Sequence, residues 1–327
     1  VTAPRRQRGA ALLAAMLTVT LVATFSAAAL WQQWRSVEVE SAERARTQSG
    51  WILTGALDWA RLILREDART GGIDHLGEPW AVPLQEARLS TFLAADPANN
   101  AATGDSEADN VFLSGEIIDQ QAFLNLANLV EAGKVSEEGF KRFARLFDLL
   151  GLPQSQLNTL ADNLRRAEEI ATDNPSAGQA PLPPQRIEHL AWLGLPDKTV
   201  DALRPYVTVL PERRPVNLNT AGAEVIYAAA EGISMADAQR LVAERERDPF
   251  RNLQAAARFT SDPAAFTANG QIGTASTYFE VRGRIRLDAR VLEERSLVKR
   301  DGIEVRTLWR ERGVVDPAVL ARATSGR

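Results

Sequence analysis

The chain contains no cysteine, and only two histidines and two methionines among 327 residues. Without cysteine there is no disulfide, no thiolate nucleophile and no zinc–thiolate centre. The two histidines, His75 and His189, stand far apart and neither belongs to an HxxxH-type pair, so both read as surface or hydrogen-bonded structural groups. An excess of one charge is also lacking. The 38 basic and 42 acidic side chains are interspersed and leave a formal −4, so no strong field draws nucleic acid or an anionic bilayer to the polar part. There is no Gly-x-Ser-x-Gly elbow and no P-loop glycine run ending in Lys-Ser/Thr. Carboxylates are plentiful, yet no pair is singled out by its setting. The chain reads as a non-enzyme.

One stretch lacks charge altogether, and there the absence is the signal. Ala10 to Trp31 runs for 22 residues without a charged side chain, entered through Arg5-Arg6-Gln7-Arg8-Gly9. At about 1.5 Å per residue such a run spans a hydrocarbon core of roughly 30 Å. Arginines on its N-terminal flank place that end in the cytoplasm and the following chain across the membrane, which in a bacterium is the periplasm. Three readings compete: a secretory signal cut after Ala27-Ala28-Ala29, a plain anchor, and a basic leader cut after Gly9 to leave Ala10 as the new N-terminus. The helix is expected to continue, since no proline occurs between Ala10 and Asp67 and Gly71-Gly72 marks a stop. Ile52, Ala56, Trp59 and Ile63 recur at helical spacing on one face. Such a helix reaches roughly 85 Å, unless it breaks near Gly50. Trp31 and Trp34 read as interfacial anchors.

Beyond it, 74–109 reads as irregular and Val111–Ile118 as a strand. At the other end Phe279, Val281, Ile285 and Leu287 alternate with polar residues, with Gly283 filling one slot. Ile303, Val305 and Trp309 follow the hairpin signal Arg300-Asp301-Gly302. The segment between, 120–275, carries helical stretches separated by Pro/Gly-rich joints, notably 173–184. The expected fold class is α+β: a long N-terminal helix packed on a small antiparallel sheet, with a large all-α insertion. The boundaries read as a basic leader 1–9, a membrane part 10–31, a periplasmic continuation 32–70, a head made of 71–119 and 276–327, and an inserted domain 120–275.

Within the insertion, Val216-Asn217-Leu218-Asn219-Thr220-Ala221 followed by Glu231-Gly232-Ile233-Ser234 resembles a helix–hairpin–helix unit. Such a turn holds a phosphate on backbone N–H groups at a helix N-terminus. Ser234 takes the place of the second glycine, Glu231 and Asp237 flank the turn, and 120–275 counts 16 Lys+Arg against 19 Asp+Glu, net −3. A phosphate-tracking surface is basic, so a structural or protein-binding hairpin is the expectation. A membrane-anchored helix–hairpin–helix DNA-binding protein is the alternative. Asp105, Glu107 and Asp109, beside Asn110, put hard oxygen ligands at alternate loop positions suited to Ca²⁺, but the EF-hand glycine and terminal glutamate are missing. A solvated polar loop is the other reading.

The leader ending in Gly9, with Ala10 opening an apolar helix, resembles a type IV pilin or pseudopilin start. Most pilins carry Glu at the fifth mature position; here it is Ala14, an absence characteristic of the K minor pseudopilin of type II secretion. Asp119-Gln120-Gln121-Ala122-Phe123-Leu124-Asn125-Leu126-Ala127-Asn128-Leu129 is similar to that family's first-strand exit, with Ala122 and Ala127 where Gly and Asn are usual. Leu203–Pro211, Val216–Ala221 and Ser276–Val281 follow in family order. The resemblance implies a pilin-like fold and a subunit at the tip of a periplasmic pseudopilus. Its implied partners are the I and J minor pseudopilins together with H, the major pseudopilin G, prepilin peptidase and the inner-membrane assembly platform. It implies no required cofactor, with Ca²⁺ as a candidate ion only. The face Ile52, Ala56, Trp59, within 37–59, is the expected meeting surface with partner helices.

Overall fold

The computed structural model describes residues 8–94, 111–169, 180–266, 271–287 and 290–315. Residues 1–7 of the leader, the loop acids Asp105, Glu107 and Asp109, and most of the 173–184 joint lie outside the described residues. The chain forms two compact units, Val1–Gly55 and Ala56–Arg327.

Helix α1 (Arg8–Thr70) supplies the first unit and carries on, without a break at Gly50, into the second. Its early part is rich in alanine and leucine, strong helix formers that lose little side-chain freedom. Hydroxyls that would be stranded in hydrocarbon turn back on the helix: Thr18 Oγ1 donates to the Ala14 and Ala15 carbonyls, and Thr24 Oγ1 to Leu21. Leu12, Leu13, Met16, Leu17 and Phe25 are exposed. Among the described residues α1 is the one helix long and apolar enough to cross a membrane. Trp31 and Trp34 lie 5.6 Å apart, ring to ring, at the end of this run.

The second unit is built on a five-stranded antiparallel sheet. Its strands are β1 (Leu84–Arg88), β2 (Val111–Asp119), β9 (Tyr278–Leu287), β10 (Arg290–Asp301) and β11 (Glu304–Val315), hydrogen-bonded in that order. Leu57, Ala60 and Leu64 of α1 bury against Phe279, Val281, Val298, Val305 and Trp80. Trp80 meets Phe279 edge-on at 5.2 Å. Gly115 pairs with Gly283 across β2 and β9. A Cβ on Gly115 would come within 2.9 Å of the Arg282 carbonyl oxygen, so the close approach requires glycine. The β10–β11 hairpin closes through Gly302 at φ +55°.

The sequence reading of 74–109 as irregular is corrected here. A 3₁₀ turn at Pro79–Ala81, strand β1 and helix α2 (Leu89–Ala94) occupy its first half. β1 is a short edge strand with mostly exposed side chains and a register shift between Leu84 and Ala87, so it lacks the apolar alternation that announces a strand.

Between β2 and β9 lie helices α3 (Glu137–Leu149), α4 (Gln154–Glu169), α5 (Asp197–Leu203), α6 (Ala223–Ala229), α7 (Met235–Arg245) and α8 (Leu253–Ala257). Three two-residue ladders escape any periodicity: β3 (Leu124–Asn125) with β6 (Val207–Thr208), β4 (Val130–Glu131) with β5 (Lys134–Val135), and β7 (Val216–Asn217) with β8 (Ile272–Gly273). Leu129, Phe143, Leu146, Phe147, Leu160, Leu193 and Leu241 are among the residues of one shared core. The residues of head and insertion both belong to the unit Ala56–Arg327. Leu210 from the insertion packs with Tyr278 and Leu297 of the sheet, and a buried polar network crosses the same boundary.

Candidate functional site

The residues singled out for processing lie in the first turns of α1. Gly9, Ala10 and Ala14 are all exposed, and a Cβ on Gly9 would meet nothing within 4 Å. Ala14 offers only its carbonyl, which accepts from Thr18. On the expected partner face, Ile52 and Ala56 are half-buried while Trp59 is 52% exposed, with Leu62 exposed near it. The stripe given to the sheet is one residue further on, Leu57, Ala60 and Leu64, with Ile63 packed beside it, so the exposed apolar surface left on this part of α1 is centred on Trp59 and Leu62.

The junction between head and insertion is organised around Asp119, the last residue of β2 and 3% exposed. Its Oδ1 accepts the Gln121 N–H at 2.7 Å. Its Oδ2 accepts from Thr220 Oγ1 and Ser276 Oγ at 2.6 Å and from Asn217 Nδ2 at 3.1 Å. One carboxylate thereby ties the exit from β2 to the start of the hairpin motif and the approach to β9. Burial lifts the Asp119 carboxyl to about 6 in spite of these donors. Asp74 continues the network: its Oδ2 accepts the Ser276 N–H, and Arg300 bridges its Oδ1 to Asp67 Oδ2. Burial, then the charge of Glu78, raises Asp67 to about 6 against the pull of Arg300.

Side-chain amides clamp the same region by donating and accepting at once. Gln121 Nε2 donates to the Pro215 carbonyl and its Oε1 accepts from Thr277 N–H. Asn125 binds the Glu212 carbonyl and the Leu210 N–H; Asn128 does the same with both backbone groups of Arg214. Asn219 holds both backbone groups of Phe250. The Asp119–Leu129 and Val216–Ala221 motifs therefore mark carboxamides that satisfy irregular backbone. Sequence reasoning noticed the motifs but missed this use; the spacing of Gln121, Asn125, Asn128, Asn217 and Asn219 inside otherwise apolar stretches was the available signal.

The hairpin turn runs from α6 to α7 through Gly232 at φ +93°. Where a phosphate would meet the N-terminus of α7, the chain places its own carboxylate. Ser234 Oγ accepts the Asp237 N–H, and Asp237 Oδ2 accepts from Ser234 N, Ser234 Oγ and Ser261 Oγ. The Ser261 and Ser234 donors hold the Asp237 carboxyl down at about 2. The carbonyl side of the turn is filled by α3: Arg142 donates to Ala229, and Arg145 to Ala230 and Ile233. Both polar faces of the hairpin are used internally.

Asp67, Asp74 and Glu78 are the acids that come together among the described residues closely enough to be considered for Ca²⁺. Arg300 already bridges the first two, and Glu78 Oε2 accepts from Trp80 Nε1 and His75 N–H. A guanidinium stands where the ion would sit, so this group does not fit Ca²⁺. His75 Nδ1 accepts from Gly77 N–H, and His189 Nδ1 from Gln185 N–H.

A family model described as type II secretion system (T2SS), protein K matches residues 216–282, and a model for the first domain of the same protein matches 122–212. Type II secretion system protein K of Pseudomonas aeruginosa is 27% identical over an alignment of 332 positions, covering 94% of each chain. The protein of the same description from Pectobacterium carotovorum is 25% identical and that from Dickeya chrysanthemi 26%, each over 94% of this chain. The fold is similar to that in the crystal structure of the GspK–GspI–GspJ complex from the enterotoxigenic Escherichia coli type 2 secretion system. That match has a TM-score of 0.56 at 18% identity and covers 83% of this chain and 98% of that one.

Proposed function

The chain belongs to the type II secretion system protein K family, and from that premise we propose that it is a minor pseudopilin of the pseudopilus tip, working by assembly and without a reaction of its own. The observation that carries the reading is α1. One helix presents an exposed, uncharged N-terminal run and then lays Leu57, Ala60 and Leu64 on an antiparallel sheet. Such a helix is stored in the inner membrane, N-terminus cytoplasmic and head periplasmic, and later packs among like helices. A carboxylate in hydrocarbon needs a partner, and Ala14 removes that requirement, so the protein makes no demand on a neighbour's terminal amine. The insertion of 120–275 adds bulk that would hinder another pseudopilin from stacking above it. In this position the protein would nucleate the pseudopilus with the I, J and H minor pseudopilins, join to the major pseudopilin, and support export across the outer membrane. The K–I–J complex of the Escherichia coli relative supports the choice of partners.

Co-expression with prepilin peptidase, followed by intact-mass and N-terminal analysis, tests the reading. A new, methylated N-terminus at Ala10 is expected. Cleavage after Ala29, or an uncut chain beside an active peptidase, would overturn it.

A further inference from the structure

Four carboxylates meet at the junction between head and insertion, with one guanidinium among them. Ligand oxygens of Asp67, Asp74 and Glu78 lie within 4.8 Å of one another. Arg300 binds the first two. Glu78 is bound by Trp80 and the His75 N–H, with the His75 imidazole 3.9 Å away. Asp119, the fourth, is buried and touches no cation among the described residues; its donors Gln121 N–H, Asn217, Thr220 and Ser276 are all neutral. The neighbouring Arg214 and Lys299 are held by Glu212, and Asp301 adds a further acid beside them. Like charges this close and this poorly hydrated cannot all ionise cheaply, so one carboxyl of the group keeps its proton. A cleft of about 320 Å³, lined by Asp67, Asp74, Ser276 and Arg300, opens beside the cluster. Ser276 links it to Asp119, its N–H donating to Asp74 and its Oγ to Asp119.

We propose that this cluster is a proton-operated lock between head and insertion, which holds a proton in mildly acidic surroundings and releases it to solvent through the cleft as they turn neutral. Asn217 Nδ2 donates to the Asp74 carbonyl, Asp119 and Ser276 Oγ at once, so the acids hold the insertion at the start of its Val216–Ala221 segment. A protonated Asp119 keeps these partners, because the Thr220 and Ser276 hydroxyls can turn to accept from it. Loss of the proton adds a buried negative charge with no cation to meet it, and the insertion then sits more loosely on the head. Burial holds the Asp119 and Asp67 carboxyls up at about 6, in accord with this. The lock works within a single chain, so its test is separate from that of the assembly role.

Two measurements on the full chain in detergent test this, each at about pH 4.5 and about pH 7. The first is hydrogen exchange of 119–121, 216–221 and 274–277, corrected for the intrinsic effect of pH on exchange. Protection there should fall about tenfold at the higher pH. The second uses the absence of cysteine: spin labels on Glu137→Cys in the insertion and Arg306→Cys in the head should give a narrow distance distribution at the lower pH and a broader one at the higher. Asp119→Asn should remove most of both responses, and Asp67→Asn should reduce them. Should Asp119→Asn not fold, Asp67→Asn and the parent decide. Junction protection and label distances that ignore pH, or a parent-like response in both variants, would overturn the proposal.

Discussion

Gly139 and Gly55 both sit inside helices, where alanine is ordinarily the better residue by about 1 kcal/mol. A Cβ on Gly139 would fall 2.0 Å from the Asn128 carbonyl oxygen, whereas one on Gly55 would meet nothing within 4 Å. The same substitution should therefore have opposite signs. Gly139→Ala must push α3 off the 3₁₀ turn Leu126–Leu129 and should cost at least about 2 kcal/mol. Gly55→Ala should be neutral or stabilising by up to about 1 kcal/mol. Chemical denaturation of the two variants checks both. Neither sign is legible in the sequence, since helical pattern says nothing of what backbone lies opposite. The charges beside the hairpin were legible: Ser234 and Asp237 are a recognisable cap-and-reply pair. Their consequence is concrete, because the Asp237 carboxylate occupies the place a phosphate would take.

At the level of elements, the long helix and the β10–β11 hairpin could be read in advance, because each repeats a simple period or carries a turn signal. β1, the two-residue ladders and the junction could not. Their stability comes from side-chain amides and one buried carboxylate acting over long separations, as Asp119 does with Asn217 and Ser276. Asn217→Ala should leave that carboxylate short of a donor and cost about 1–3 kcal/mol, with amide exchange accelerating first around Thr220 and Ser276.

The same junction sets a pH dependence. Asp119 and Asp67 have folded values near 6, above the roughly 3.9 of an unfolded aspartate. Protonation is thus coupled to folding: their contribution is complete below about pH 4 and is lost as pH rises through about 6. Asp237 and Glu212 act in reverse. Held near 2 by their donors, they stabilise above about pH 4 and fail as pH falls toward 2. Thermal melts should show maximum stability near pH 4 and a decline that levels off above about pH 6, and Asp119→Asn should flatten the decline between about pH 4 and 6. A midpoint that rises steadily toward pH 7.5 would contradict this.

On the scale of the whole molecule, the α+β class and the family were legible because the apolar run, Ala14 and the ordered motifs each impose a physical demand that few folds meet together. With the hairpin filled from both sides, the full chain should give no salt-sensitive retention of duplex DNA in a mobility-shift assay; retention that fades with added salt would revive the DNA-binding alternative.

The central claim is that this protein acts by joining other pseudopilins through α1 and its head. The most direct measurement is native mass spectrometry of the full chain co-expressed with the I and J minor pseudopilins of its own secretion system. The account predicts one complex containing all three chains, lost or weakened by Trp59→Glu while the variant's thermal melt stays unchanged. This chain remaining unbound beside I and J, or a three-chain complex undiminished by Trp59→Glu, would contradict it.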